Sequence, residues 1–197
     1  FLSVKIENMT LQHNEVIEKK NERLKKNNKR KRYGIVAVCD GQGLIDTLYE
    51  MGVDEVIVGG QGNNPSTKSF IDAFEKVNAD NIFVLPNNSN IIMAANEAKD
   101  LYKGSEVFVI NTKDFGQIYS SLSVIDLSND NPLEIEEMLN EAKEAVVTAM
   151  ITKSIRDANI DSVEIHKDNY IGFAGKTMYV SCANKLDAYF DLLEKLD

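Results

Sequence analysis

At 197 residues and 22.0 kDa the chain is long enough for one large domain or two small ones. Hydrophobic residues make up 43% and charged ones 27%, the balance of an ordinary globular protein, and no apolar run approaches the ~18–20 residues that cross a bilayer. The net charge is −9, and two cysteines, Cys39 and Cys182, exclude a disulfide framework or a Cys-rich zinc module and fit a reducing cytoplasm.

The first twenty residues carry Lys, Glu, His and Asn throughout, so no secretory signal is expected among them. The chain opens on Phe1 rather than Met, so a piece of a longer polypeptide is expected. Residues 4–18 show Val4, Ile6, Met9, Leu11, Val16 and Ile17 partly at helical spacing, which predicts an amphipathic helix. Residues 19–32, KKNERLKKNNKRKR, then hold nine of the 22 basic residues and one of the 31 acidic ones; the rest of the chain carries −17. With no aromatic side chain to stack on a base and an acidic body beside it, this stretch reads as a solvated linker rather than a nucleic-acid site. Residues 1–32 are thus expected to be a connector helix with a basic linker.

From Tyr33 the rhythm changes. Four short apolar runs, 33–38, 56–60, 81–86 and 106–110, alternate with helical patterns. Those helices are marked by Leu44 to Met51, Phe70 to Val77, Ile91 to Leu101 and a weaker stretch around 115–124. Continuous apolar strands alternating with helices predict a parallel sheet covered by helices on both faces, an α/β domain over 33–126. Beyond it, Asn131 as cap, Pro132 at the first helical position and Glu134 three residues after the cap predict a helix running to about Val147. A meander follows over 149–155, 162–166, 170–173 and 177–181, with Asp168-Asn169 and Gly175-Lys176 as turns and a closing helix through Leu186, Phe190, Leu192 and Leu193. Residues 127–197 are therefore expected to form a smaller antiparallel α+β unit.

In an open parallel sheet the strands end at one edge, where ligands bind. The loops predicted there are rich in glycine, amides and hydroxyls and poor in carboxylates, which suits a polar or anionic group better than acid–base catalysis. The loop Gly59–Thr67, GGQGNNPST, stands out: nine turn-type residues exceed what a short strand-to-helix loop needs. With Asn64 as cap and Pro65 at the first helical position, the amides of Ser66 and Thr67 would sit at a positive helix terminus, a natural anion site. The same residues also make an ordinary turn. Candidate ligand- or partner-binding residues are Gly60, Gln61, Asn63, Asn64, Ser66, Thr67, Asn87, Asn88 and Asn90.

Other chemistry has less support. Gly41-Gln42-Gly43 begins a dinucleotide fingerprint, but Asp46 stands where the third glycine belongs, and no phosphate-binding GxxxxGK[ST] occurs. His13 and His166 read as surface residues, too far apart in sequence to support zinc or a Ser-His-Asp triad. Cys39 reads as a small core residue. Arg156 and Asp157 suggest an ion pair at a strand end, with an anion clamp as the other reading.

Taken together, YGIVAVCDGQGL, GVDEVIVGGQGNNPST and NADNIFVLPNNSNIIMAANEA resemble consecutive segments of the C-terminal region of the bacterial fatty acid kinase FakA, a dihydroxyacetone-kinase-like family. VKIENMTLQHNEVIE resembles its connector helix and SIRDANIDSVEIHKDNYIGFAGKTMYV its later meander. Gly62-Asn63 stand where the family loop commonly has Thr-Met, and the resemblance leads to the expectation that Asp197 falls short of the family's usual C-terminus.

The resemblance implies a DegV-like fold and a role as docking domain for a separate DegV-type fatty-acid-binding protein, the acyl-carrying component of the kinase. An upstream kinase domain, using ATP and magnesium, would phosphorylate the fatty acid to an acyl phosphate for phospholipid synthesis. No cofactor, metal or catalytic residue is expected in this piece, and self-association would run through the full-length protein. Two alternatives stand beside this reading: a DegV-like pocket for a lipid or small anion between the two units, and, more weakly, one component of a dihydroxyacetone-type kinase.

Overall fold

The computed structural model describes residues 30–60 and 62–197. The connector helix expected over 4–18, most of the basic stretch, His13 and Gln61 lie outside the described residues. The chain folds as α/β with a four-stranded parallel sheet flanked by helices, plus small antiparallel sheets.

The contacts group the described residues up to 113 with 126–136 in a first compact unit, and 114–125 with 137–197 in a second. In the first, β1 (Lys31–Cys39), β2 (Glu55–Val58), β3 (Ala79–Leu85) and β4 (Glu106–Val109) alternate with α1 (Gln42–Glu50), α2 (Thr67–Val77) and α3 (Ser89–Leu101). The strand order is β2-β1-β3-β4, every pair parallel. Chain order therefore reverses between β1 and β3, and the crevice beyond their carboxyl ends is where such sheets bind ligands.

The core follows from spacing. Phe70, Ala73, Phe74 and Val77 of α2 recur at i, i+3, i+4 and i+7 and are buried together with Val36, Val38, Ile82, Val84, Ile91 and Ala95. Phe83 stacks its ring between those of Tyr33 and Phe108, with centroids 5.9 and 5.2 Å away. Gly34 lets α2 come close: a Cβ there would lie 2.1 Å from Val77 Cγ1. Strand β1 starts at Lys31, two residues before the apolar run, and the last basic residues serve the fold rather than a linker. Arg30 pairs with Asp80 at 2.5 Å, Lys31 with Asp54, and Arg32 with Asp130.

The second unit begins with α4 (Phe115–Val124), capped by Asp114, whose Oδ1 accepts the Gln117 amide at 2.9 Å. Helix α5 (Pro132–Glu144) starts in the first unit and continues into the second. Its expected capping arrangement is present: Asn131 Oδ1 accepts the Leu133 amide, and Asn131 Nδ2 donates to Glu134. Then come β5 (Ala149–Lys153), β6 (Ala158–Ile160), β7 (Val163–Ile165), β8 (Tyr170–Ala174), β9 (Thr177–Cys182) and α6 (Lys185–Leu196).

The meander is not one sheet. β5-β8-β9 form a three-stranded antiparallel sheet, while β6 and β7 make a separate two-stranded ribbon. Asp161 and Ser162 both take positive φ, 52° and 65°, the turn that joins two strands most tightly. Neither is glycine, so the sequence hid this turn and the strand before it. α6 packs Ala188 and Leu192 on Val180, and Gly172 leaves the room: a Cβ there would lie 2.7 Å from Val180 Cγ2.

Candidate functional site

At the carboxyl edge of the sheet, the loops that follow β2 and β3, the two strands flanking β1, both lie within the first unit. A side-chain clamp ties them together. Asn87 Nδ2 donates to the Gly59 carbonyl at 2.9 Å, across 28 residues of sequence, and Asn88 Nδ2 donates to Asn87 Oδ1 at 3.2 Å. Gly60 and Asn63 exchange two backbone hydrogen bonds of 3.1 Å each, closing a tight turn in which Gly62 takes φ +92°. A Cβ on Gly59 would lie 2.6 Å from Pro65 Cγ, so the proline ring lies directly over that glycine.

That seating explains one departure from expectation. Pro65 packs on Gly59 instead of opening the helix, and α2 starts two residues later, at Thr67. The cap is Ser66, in extended backbone, whose Oγ accepts the Ser69 amide at 3.2 Å. Asn64 does not cap α2. The Thr67 hydroxyl donates to Glu97 Oε2 at 2.8 Å, so a carboxylate of the protein itself already stands at this helix terminus. The Ser66 and Thr67 amides expected to face an anion thus have the Glu97 carboxylate as a neighbour through the Thr67 hydroxyl.

The candidates meet elsewhere. A shallow groove of about 300 Å³ is lined by Gly62 and Asn64 from one loop and by Asn88, Ser89 and Asn90 from the other. Asn88 caps α3: its Oδ1 accepts the amides of Asn90 and Ile91 at 3.0 and 3.1 Å. Gly60 and Asn87 lie against each other outside the groove lining, Asn63 closes the turn, and Ser66 and Thr67 belong to the α2 cap. Two residues outside the candidate set make long-range ties at this edge. Thr112, fully buried after β4, donates to the Pro86 carbonyl at 2.5 Å and ties the fourth loop to the third. Glu97 sits thirty residues from Thr67, and no local pattern pairs them.

Chemically the groove is a set of amides, hydroxyls and backbone polar groups suited to hydrogen-bonded recognition. Cys39 ends the buried β1, and burial pushes its thiol above its ordinary 9.0, so it stays protonated. His166 lies exposed in the second unit, 3.8 Å from Glu164. Arg156 and Asp157 do not form the ion pair expected of them: Asp157 Oδ1 accepts the Lys167 amide at 2.7 Å instead. Among the described residues no three His, Cys, Asp or Glu are grouped to hold a metal, and no helix is long and apolar enough to cross a membrane.

Comparison with known proteins supplies the wider setting. Residues 34–197 match the family of FakA-like C-terminal domains of fatty acid kinase. Protein YloV of Bacillus subtilis strain 168 is 37% identical over 197 residues. An uncharacterized protein of Staphylococcus epidermidis is 35% identical over 199, and one of Staphylococcus aureus strain USA300 is 31% identical over 198. Each alignment takes in 99% of this chain but only 35% or 36% of the relative. The chain thus spans about a third of the length of the curated relatives it matches.

Proposed function

Because the chain belongs to the family of FakA-like C-terminal domains of fatty acid kinase, we propose that it is the docking domain of such a kinase. In this reading it holds a DegV-type acyl carrier while a domain elsewhere in the full-length protein, using ATP and magnesium, phosphorylates the fatty acid. The observation that carries the proposal is the amide-lined groove of Gly62, Asn64, Asn88, Ser89 and Asn90 at the sheet's ligand-binding edge. Such a surface offers paired donors and acceptors that fix the orientation of a partner. It holds neither a nucleophile beside a base nor paired carboxylates, so its support is for recognition rather than for the transfer step.

Calorimetric titration with the acyl-loaded carrier of the same organism tests this. Binding should weaken about tenfold or more when Asn64 and Asn90 are replaced by Ala, a loss in the range of a few buried hydrogen bonds. Both side chains are exposed, so the fold should survive the change. Unchanged affinity would remove the groove from the contact, and no binding by the folded protein would overturn the docking reading itself.

A further inference from the structure

Resting on the docking reading above, we infer that the antiparallel unit carries a second docking surface, which takes an apolar side chain lying beside a carboxylate on the partner protein. The surface is a concavity of about 450 Å³ whose walls are mainly apolar. Ile165, buried, and Ile171, half-buried, form its floor, while Ile160 and Ile155 stand at its rim, 45% and 85% exposed. An isoleucine with 85% of its surface in water adds almost nothing to the fold, since the gain from an apolar side chain scales with the area removed from water.

The same rim carries two cations, Lys153 and Arg156. Lys153 has a 3.6 Å pairing with Asp168, both side chains being solvent-exposed, which is worth little. Arg156 makes no ion pair among the described residues. Two cations bordering an apolar hollow, in a chain whose charge is −9 overall, favour a partner surface that is apolar at its centre and acidic at its edge.

The loop is also held ready. Ser154 is buried; its amide donates to the Asn169 carbonyl at 2.7 Å and its carbonyl accepts the Asp168 amide at 2.9 Å. Its hydroxyl donates to the Arg156 carbonyl at 2.6 Å, and Asp157 is fixed by the Lys167 amide. Ile155 and Arg156 therefore project from a backbone pinned on both sides. Pinning lowers the ordering cost that a flexible loop would meet on binding, and a fixed arginine beside an apolar anchor is how binding energy concentrates at interfaces.

The test is calorimetric titration of the carrier into the wild-type chain, Ile155→Asp, Arg156→Glu and the Asn64→Ala/Asn90→Ala variant, at low and high salt. Thermal melting confirms that each variant is folded, as expected of exposed positions. The inference expects Ile155→Asp and Arg156→Glu each to weaken binding about tenfold or more. It also expects the salt dependence to shrink in Arg156→Glu. Wild-type binding that both substitutions leave within twofold would overturn this inference while the docking reading stands. No binding by the wild-type chain would overturn both.

Discussion

The two units are built from similar residues but reach different degrees of closure. In the first, β1 is buried over seven consecutive residues from Tyr33 to Cys39, β3 over Ile82–Leu85, and α2 and α3 seal the sheet with Phe70, Phe74, Ile91 and Ala95 at 0% exposure. In the second, no residue of β5 is buried, and the helix-on-sheet core centres on Val180, Ala188 and Leu192. Large apolar side chains stay in water there: Ile155 at 85%, and Leu186 and Phe190 on α6 at 63% each. A parallel sheet covered by helices must bury both faces to exist, whereas a small antiparallel sheet can stand with one face open. The first unit therefore closes a deep core on both faces of its sheet while leaving Val58, Met93 and Leu101 exposed, and the second leaves a larger share of its apolar side chains in water.

The two cysteines make the contrast measurable, because Cys39 lies in the core of the first unit and Cys182 at the edge of the second core. The largest effect is expected from Phe83→Ala, which removes a fully buried ring stacked against Tyr33 and Phe108. It should cost about 3–5 kcal/mol in chemical denaturation and speed thiol labelling at Cys39. Leu192→Ala should cost less, about 2–3 kcal/mol, because its surroundings are half-open and can collapse onto the gap. It should speed labelling at Cys182 and leave Cys39 protected. If both thiols respond together to either substitution, the two units open as one and the comparison breaks.

Smaller changes sharpen it. Asn88→Ala removes the α3 cap and one wall of the amide groove, and should cost about 1 kcal/mol of stability. The smallest effect is acid-dependent. Hydrogen bonds from Asn129 and Asn131, in that order, hold the exposed Glu134 carboxyl below its ordinary 4.5. A lowered value in the folded state means that its contribution is fully present above the ordinary value and is lost as pH falls through the lowered one. Acid titration followed by circular dichroism should show the start of α5 loosening in that range. Glu134→Gln should flatten the response.

Much of this was readable in advance. The four apolar runs become β1 to β4, and the Asn131, Pro132 and Glu134 spacing starts α5, because strands and caps are set by residues within a turn of each other. The start of α2 departs from its local pattern for the same reason in reverse. Asn64-Pro65 is a good local helix opening, but Pro65 is drawn onto Gly59 by a turn that closes through Gly60 and Asn63. Asp161-Ser162 lacked the glycine that advertises a tight turn, so β6 stayed hidden.

By itself, the sequence determined the α/β alternation, the antiparallel unit after it, the buried Cys39, the exposed His166 and the polar character of the sheet edge. Each follows from periodicity, capping or composition, which act over a few neighbouring residues. Only the tertiary structure decided the strand order β2-β1-β3-β4, the Asn87 clamp on Gly59, the Glu97 carboxylate on Thr67, and the exposure of Ile155 and Arg156 above a pinned loop. These join residues that are distant in the chain or depend on what the rest of the molecule leaves uncovered. Their free energy appears only once loops have closed and faces have packed, so no local pattern encodes them.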